Sequence, residues 1–245
     1  MPHTPCHLLI DAGNTRVKWA LHNGQNWLDR GHANLDALDG LHTAWSALPA
    51  IQRVVGSNVA GIAVKAQLET MLARHGLTIE WLTPSSQRLD VQNHYATPSQ
   101  LGADRWAALL AARKLAGQHC LVVNLGTAMT VDALTASGQF LGGIIVPGFR
   151  LMQNALAQGT ADLGRRQGHY QPFPTNTADA IHGGILQALL GAILRMQLEM
   201  DQADVAPACC VLSGGDGPLL QPHLSLPAIL VDNLVLEGLL RIALE

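Results

Sequence analysis

Several features that would commit a chain to a particular chemistry are missing here. Charged residues make up only 13% of the 245 positions and the formal net charge is -3, so no basic field exists to capture nucleic acid or an anionic membrane. Apolar runs are broken by polar residues and glycine before they reach the roughly 20 residues of a bilayer span. No basic stretch leads into a signal-type apolar core at the N-terminus, and the expected location is cytoplasmic. The four cysteines, Cys6, Cys120, Cys209 and Cys210, lie in apolar strand-like runs, and the adjacent pair lacks metal-ligand spacing, which argues against zinc. The 11 histidines form no H-E-x-x-H pattern. Neither a G-x-x-x-x-G-K-S/T phosphate loop nor a G-x-G-x-x-G fingerprint occurs, so the common nucleotide folds are not indicated.

What is present is apolar content, at 48%, enough to bury one large core or two modest ones. It is distributed with an internal repeat. The apolar run Cys6 to Ile10 leads to a turn-like Asp11 to Thr15 and resumes through Arg16 to Leu21; Cys120 to Val123, Asn124 to Thr127 and Ala128 to Leu134 follow the same plan. Aligned without gaps, Asp11 falls on Asn124, Gly13 on Gly126, Asn14 on Thr127 and Ala20-Leu21 on Ala133-Leu134.

Each copy continues in the same order. A third strand (Gln25 to Gly31), a helix around Leu35 to Leu48, a strand Ile51 to Gly56, a helix around Val64 to His75 and a strand Thr78 to Leu82 are expected in the first half. The second half is read as a strand Gln139 to Val146, a helix from Phe149, a long helix around Ala178 to Asp201, strands Ala208 to Leu212 and Ala228 to Val231, and a last helix from Leu234. Gly159 to Thr175 reads as an inserted loop. The pattern predicts an α/β protein of two similar domains, 1–117 and 118–245, with a nucleotide cleft between them.

Two glycine-bearing tips suit a polyphosphate, because backbone N–H donors approach closely only where no Cβ intervenes. Gly13 and Gly126 allow that approach, Asn14, Thr15 and Thr127 add side-chain donors, and Lys18 adds a compact positive charge. Asp11 would face a divalent cation, which favours hard oxygen ligands and keeps several waters. Taken alone, Asp-Ala-Gly-Asn-Thr is also an ordinary hairpin turn.

Asp11-Ala-Gly-Asn-Thr15 resembles the first phosphate motif of the acetate and sugar kinase, actin-like superfamily, whose members have duplicated ribonuclease H-like domains. Gly102-Ala-Asp-Arg105, Leu125-Gly-Thr-Ala128, Gly142-Gly-Ile-Ile-Val-Pro-Gly148 and Asn176-Thr-Ala-Asp-Ala-Ile181 follow, and in this order they are similar to the type III pantothenate kinases along nearly the whole chain. The resemblance implies ATP-dependent phosphorylation of pantothenate to 4'-phosphopantothenate, the first step of coenzyme A synthesis. ATP with Mg2+ would be bound by Asp11, Ala12, Gly13, Asn14, Thr15, Arg16, Val17 and Lys18, with Thr127 helping. Pantothenate would be bound by Tyr95, Gly102, Ala103, Asp104 and Arg105, with Thr177 contributing, across a homodimer contact as in relatives. Asp104 would be the catalytic base.

The chemistry suits these residues, because phosphoryl transfer to an alcohol demands positioning and charge neutralisation more than a strong base. Arg105 could hold phosphate oxygens or the substrate carboxylate, since its planar fork fits either. Other roles are equally open to some of these side chains. An acidic residue in a first helical turn is favoured by the helix dipole, Tyr95 can be packing, and Thr177 can be a helix cap. Ser213-Gly-Gly-Asp-Gly217 reads as a strand-to-helix turn or a rest for adenine or ribose. One position departs from the family pattern. Relatives begin the second tip with an Asp associated with a monovalent cation, K+ or NH4+; here it is Asn124, whose amide oxygen can ligate but carries no full charge. Another small-molecule kinase of the superfamily, or a nucleotide-binding regulator without catalysis, would share the tips.

Overall fold

The computed structural model describes residues 6–46, 49–159 and 167–245. Its contacts divide into two compact units, one of residues up to Leu89 with Tyr95–Ala111 and Leu234–Glu245, the other of Asp90–His94 and Ala112–Asn233.

In the first unit, β1 (Cys6–Ala12), β2 (Arg16–His22), β3 (Trp27–Asn34), β4 (Ile51–Asn58) and β5 (Ile79–Trp81) form a sheet in the order β3-β2-β1-β4-β5. The β1–β2 and β2–β3 pairs are antiparallel, while β1–β4 and β4–β5 are parallel. Side chains alternate across a strand, so Leu8, Ile10 and Ala12 enter one core. That core includes Leu41 and Trp45 of α1 (Asp39–Ser46) and Leu68, Met71 and Leu72 of α2 (Ile62–Ala73). Leu9 and Val55 are as fully buried and point to the opposite face, where α6 (Leu234–Ala243) packs on β1 and β4.

α6 approaches α3 (Ala103–Ala116) at Gly238, where any Cβ would collide with the carbonyl of Ala107. Arg241 Nη1 donates to the Leu110 carbonyl. Arg53 on β4 donates from Nη1 to the carbonyls of Ile242 at 2.8 Å and Ala243 at 3.2 Å, satisfying acceptors that a helix C-terminus leaves open.

The second sheet contains β8 (Cys120–Leu125), β9 (Ala128–Leu134), β10 (Gln139–Pro147), β11 (Cys209–Ser213) and β12 (Ala228–Leu230), in the order β12-β11-β8-β9-β10, followed by the short β7 (Val91–Asn93) and β6 (Gln87–Arg88). Phe149 of α4 (Phe149–Gly159) and Ile185, Leu186, Leu189 and Ile193 of α5 (Thr177–Gln202) join Leu121, Val123 and Val131 in its core. By length and composition α5 could cross a membrane, but these side chains bury against a sheet as those of a core helix do.

Several ends moved relative to expectation. β3 starts two residues and ends three residues later than the expected Gln25 to Gly31, because it is an edge strand with most residues exposed and carries no alternating apolar signal. The helix read over Leu35 to Leu48 is a 3-10 turn at Leu35–Ala37 followed by α1, and its last expected residues lie outside those described. Of the inserted loop Gly159 to Thr175, 160–166 lie outside the described residues. Beyond it, 167–176 carries no regular element.

Candidate functional site

The first tip closes tightly: Gly13 N–H donates to the Arg16 carbonyl at 3.1 Å, and Val59 N–H donates to the Ala12 carbonyl at 2.9 Å. Asn14, Thr15 and Arg16 are exposed while Ala12 and Val17 are buried, so the polar part of the motif faces outward on an apolar base. Asp11 is the last charged residue of β1 and is only 9% exposed. Strand register sets it beside Lys18 on β2 and Ser57 on β4. These three side chains form one row on the sheet face opposite Ile10 and Ala12.

Gly102, Ala103, Asp104, Arg105 and Tyr95 belong to the same unit. Asp104 lies in the first turn of α3, where the unpaired N–H groups favour a negative charge. Its Oδ1 accepts the Arg105 N–H at 2.8 Å, and the Trp106 N–H donates to the Gly102 carbonyl at 2.9 Å. Burial raises the Asp104 carboxyl above its ordinary range, opposed by the Arg105 backbone hydrogen bond and the Arg105 charge. Arg105 is buried, at 6% exposure. Its Nη1 donates to the Tyr95 hydroxyl at 2.9 Å, and the guanidinium lies 5.8 Å from the Tyr95 ring centroid, within cation–π range.

In the second unit the tip Gly126-Thr127 is held from two sides. Gly148 N–H donates to the Thr127 carbonyl at 2.9 Å, and a Cβ at 148 would collide with the Gly126 carbonyl. Gly214, at φ +99°, would collide with the Leu125 carbonyl if it bore a side chain, and the Asp216 N–H reaches that carbonyl at 3.3 Å. Three separate motifs thus meet at one backbone turn. Their glycines are required there because main chain touches main chain. Asn124, half-buried, is in register with Thr130 on β9 and Ser213 on β11.

Thr177 is exposed at the first position of α5, whose N-cap is Asn176. The cap is therefore not Thr177. Asn176 Oδ1 accepts the Asp179 N–H at 3.0 Å, Asn176 Nδ2 donates to Asp179 Oδ2 at 2.7 Å, and Asp179 Oδ1 accepts the His169 N–H at 2.8 Å. This reciprocal cap ties 168–176 to the helix start. Its only sequence signal is Asn followed three residues later by an acid.

Among the described residues no group of three or more His, Cys, Asp or Glu side chains could hold a metal ion. A divalent cation at Asp11 would therefore take most of its ligands from phosphate and water, the usual arrangement for Mg2+ with a nucleotide. An open glycine tip, exposed hydroxyl and amide donors, Lys18 and a single recessed carboxylate fit ATP with Mg2+.

Comparison with known proteins gives the same direction. The family model for type III pantothenate kinase matches residues 7–199. A protein from Nitrosospira multiformis named type III pantothenate kinase is 46% identical over 241 residues, covering 98% of this chain and 92% of its own length. Among solved structures, a conserved Baf family protein from Campylobacter jejuni superposes with TM-score 0.61 at 22% identity over 96% of each chain. MreB5 of Spiroplasma citri does so with TM-score 0.52 at 10% identity, over 97% of this chain and 95% of its own. The structural likenesses show the fold alone, α/β with duplicated ribonuclease H-like domains. With a family model spanning 7–199 and a near-full-length relative, the chain belongs to the type III pantothenate kinases.

Proposed function

We infer that this protein transfers the γ-phosphoryl group of ATP to the hydroxyl of pantothenate, giving 4'-phosphopantothenate for coenzyme A synthesis. The observation that carries the residue-level reading is the start of α3, where Asp104 lies beside a buried Arg105 bonded to Tyr95. In this reading Asp104 accepts a hydrogen bond from the substrate hydroxyl, orients it toward the phosphorus and takes its proton late, as the bond to the leaving group breaks. Burial raises the Asp104 carboxyl, making it a better proton acceptor than a solvated aspartate. Tyr95, Gly102, Ala103 and Arg105 bind pantothenate.

The nucleotide is assigned to the stretch Asp11, Ala12, Gly13, Asn14, Thr15, Arg16, Val17 and Lys18, with Thr127 as a further donor. Mg2+ is assigned to Asp11, directly or through water; when bound it neutralises charge developing on the phosphate oxygens. Thr177 is assigned to the substrate of a partner subunit in a homodimer, and the protein to the cytoplasm. The segments 1–117 and 118–245 are read as the duplicated copies, which is a division by order of elements; the contact units exchange α6 and β7 relative to it. Asn124 removes a negative charge from the position assigned to K+ or NH4+, so the monovalent-cation requirement is weak or absent.

Purified protein supplied with ATP and Mg2+ should form ADP only when pantothenate is added, with 4'-phosphopantothenate appearing in equal amount by mass spectrometry. ADP formation indifferent to pantothenate would overturn the substrate assignment. Replacing potassium by a large organic cation should leave the rate nearly unchanged; a saturable potassium requirement would overturn the reading of Asn124.

A further inference from the structure

Ser57 has no exposed surface, and its Oγ has no hydrogen-bond partner among the described residues. A buried hydroxyl without a partner costs free energy relative to alanine of nearly the same shape. Nothing in the local fold demands serine there: β4 needs a small strand residue, and Val55, the preceding residue on the same face, is apolar.

Its location supplies a reason for the hydroxyl. Ser57 is the register partner of Asp11 in the parallel β1–β4 pair, and Asp11 is in turn the partner of Lys18. Partners on adjacent strands project from the same face, about 4.8 Å apart along the hydrogen-bonding direction, a spacing across which a serine hydroxyl and an aspartate carboxylate can meet. Asp11 thus has a lysine as register partner on one side and a serine on the other. The serine is sealed from solvent. Groups that hydrogen-bond a metal's ligand fix that ligand's orientation, and their loss typically lowers metal affinity 10- to 100-fold.

We propose that Ser57 is a positioning residue for the cation site: unpartnered among the described residues, its Oγ–H turns to the Asp11 carboxylate when Mg2+ arrives with the nucleotide and holds it in the orientation that receives the cation. The inference rests on the assignment of the divalent cation to Asp11. It adds a residue from β4, outside every motif that the sequence displays.

The test compares the whole protein with Ser57→Ala and Asp11→Asn. Each is measured by calorimetry for binding of a non-hydrolysable ATP analogue without metal, then for Mg2+ titrated onto the saturated complex, and by thermal unfolding without ligand. For Ser57→Ala the expected result is a melting temperature equal to or above that of the parent, unchanged metal-free nucleotide binding, and Mg2+ affinity lowered about tenfold. Unchanged Mg2+ affinity, an equal loss of metal-free binding, or a lowered melting temperature would each overturn the proposal. Asp11→Asn separates the two levels of failure. If it weakens Mg2+ binding while Ser57→Ala does not, only the role of Ser57 fails; if neither variant affects Mg2+, the cation assignment to Asp11 fails with it.

Discussion

The Asp104 carboxylate fills the space in which a side chain at Gly102 would begin: a Cβ at 102 would stand 2.5 Å from Asp104 Oδ1. The glycine of Gly-Ala-Asp-Arg is thus explained by the position of the carboxylate two residues on. Because the colliding atom is the end of a flexible side chain, Gly102→Ala should be relieved by turning Asp104 away rather than by moving backbone. The expected outcome is a kcat lowered by tenfold or more, as misplacement of a reacting group costs, with a melting temperature within a degree or two of the parent. Steady-state kinetics alongside thermal unfolding would check it. An unchanged kcat would separate Asp104's position from catalysis.

Asp104 itself yields a paired prediction. Its carboxyl is raised chiefly by burial, so the folded state takes up this proton more readily than the unfolded chain. Its contribution to stability is therefore fully present below the unfolded carboxylate value and is lost as pH rises through the raised folded value. At neutral pH the ionised group is therefore a cost. Asp104→Asn should melt higher than the parent at pH 7 while turnover falls by roughly 10²- to 10⁴-fold, with ATP binding nearly intact. The parent's kcat should fall on the acid side through an apparent value above that of an ordinary aspartate. A variant that keeps parental turnover would refute the base assignment.

The sequence carried the elements better than their contacts. β9 was expected at Ala128 to Leu134 and is found there, and α4 and α6 begin at Phe149 and Leu234 as expected, because apolar periodicity and glycine turns mark such ends locally. β6 and β7, at two and three residues, are too short for any period, and β7 gains its partner in β10 far along the chain. The packing of α6 against β1 and β4 is likewise non-local. In the site, Gly13 and Gly126 were legible as turn glycines. Gly148 and Gly214 were not legible as supports of the second tip, since the carbonyls they touch lie 21 or more positions away. Ser57 carried no signal because a lone serine in a strand is ordinary.

At the other end of the first hairpin, His7 and His22 are register partners on β1 and β2. Both are held below the usual histidine value, His7 by burial and then the Arg53 charge, His22 by burial and then His7. His22 Nδ1 accepts the Gly24 N–H at 2.9 Å, which requires that nitrogen to be unprotonated. A lowered histidine binds its proton more weakly when folded, so stability is full above the ordinary value of about 6.5 and falls as pH drops through it. The melting temperature should decline between pH 7 and pH 5, and His7→Gln should flatten that decline. Parallel pH profiles of parent and variant would exclude the pair as its source.

The last prediction concerns Asp179, which no assigned function uses. Its carboxylate is held below the usual range first by the His169 backbone N–H, then by the Asn176 side chain. A depressed acid contributes stability above its unfolded value and loses it as pH falls through the folded one, so the clasp should survive the pH range near 4 where ordinary aspartates protonate. Gly168 lies so close to the start of α5 that a Cβ would collide with the Ala178 carbonyl, so the main chain of this segment touches the main chain of the helix. Asp179→Ala should therefore speed hydrogen exchange at the His169 amide and raise the KM for pantothenate more than it lowers kcat, because exposed Thr177 is adjacent to the released cap. The exchanged pair Asn176→Asp with Asp179→Asn preserves the side-chain bond with donor and acceptor reversed, and keeps an acceptor for His169. That double variant should recover both the exchange protection and the KM. Recovery of protection without recovery of KM would mean that the clasp shapes the segment but does not place Thr177 for substrate.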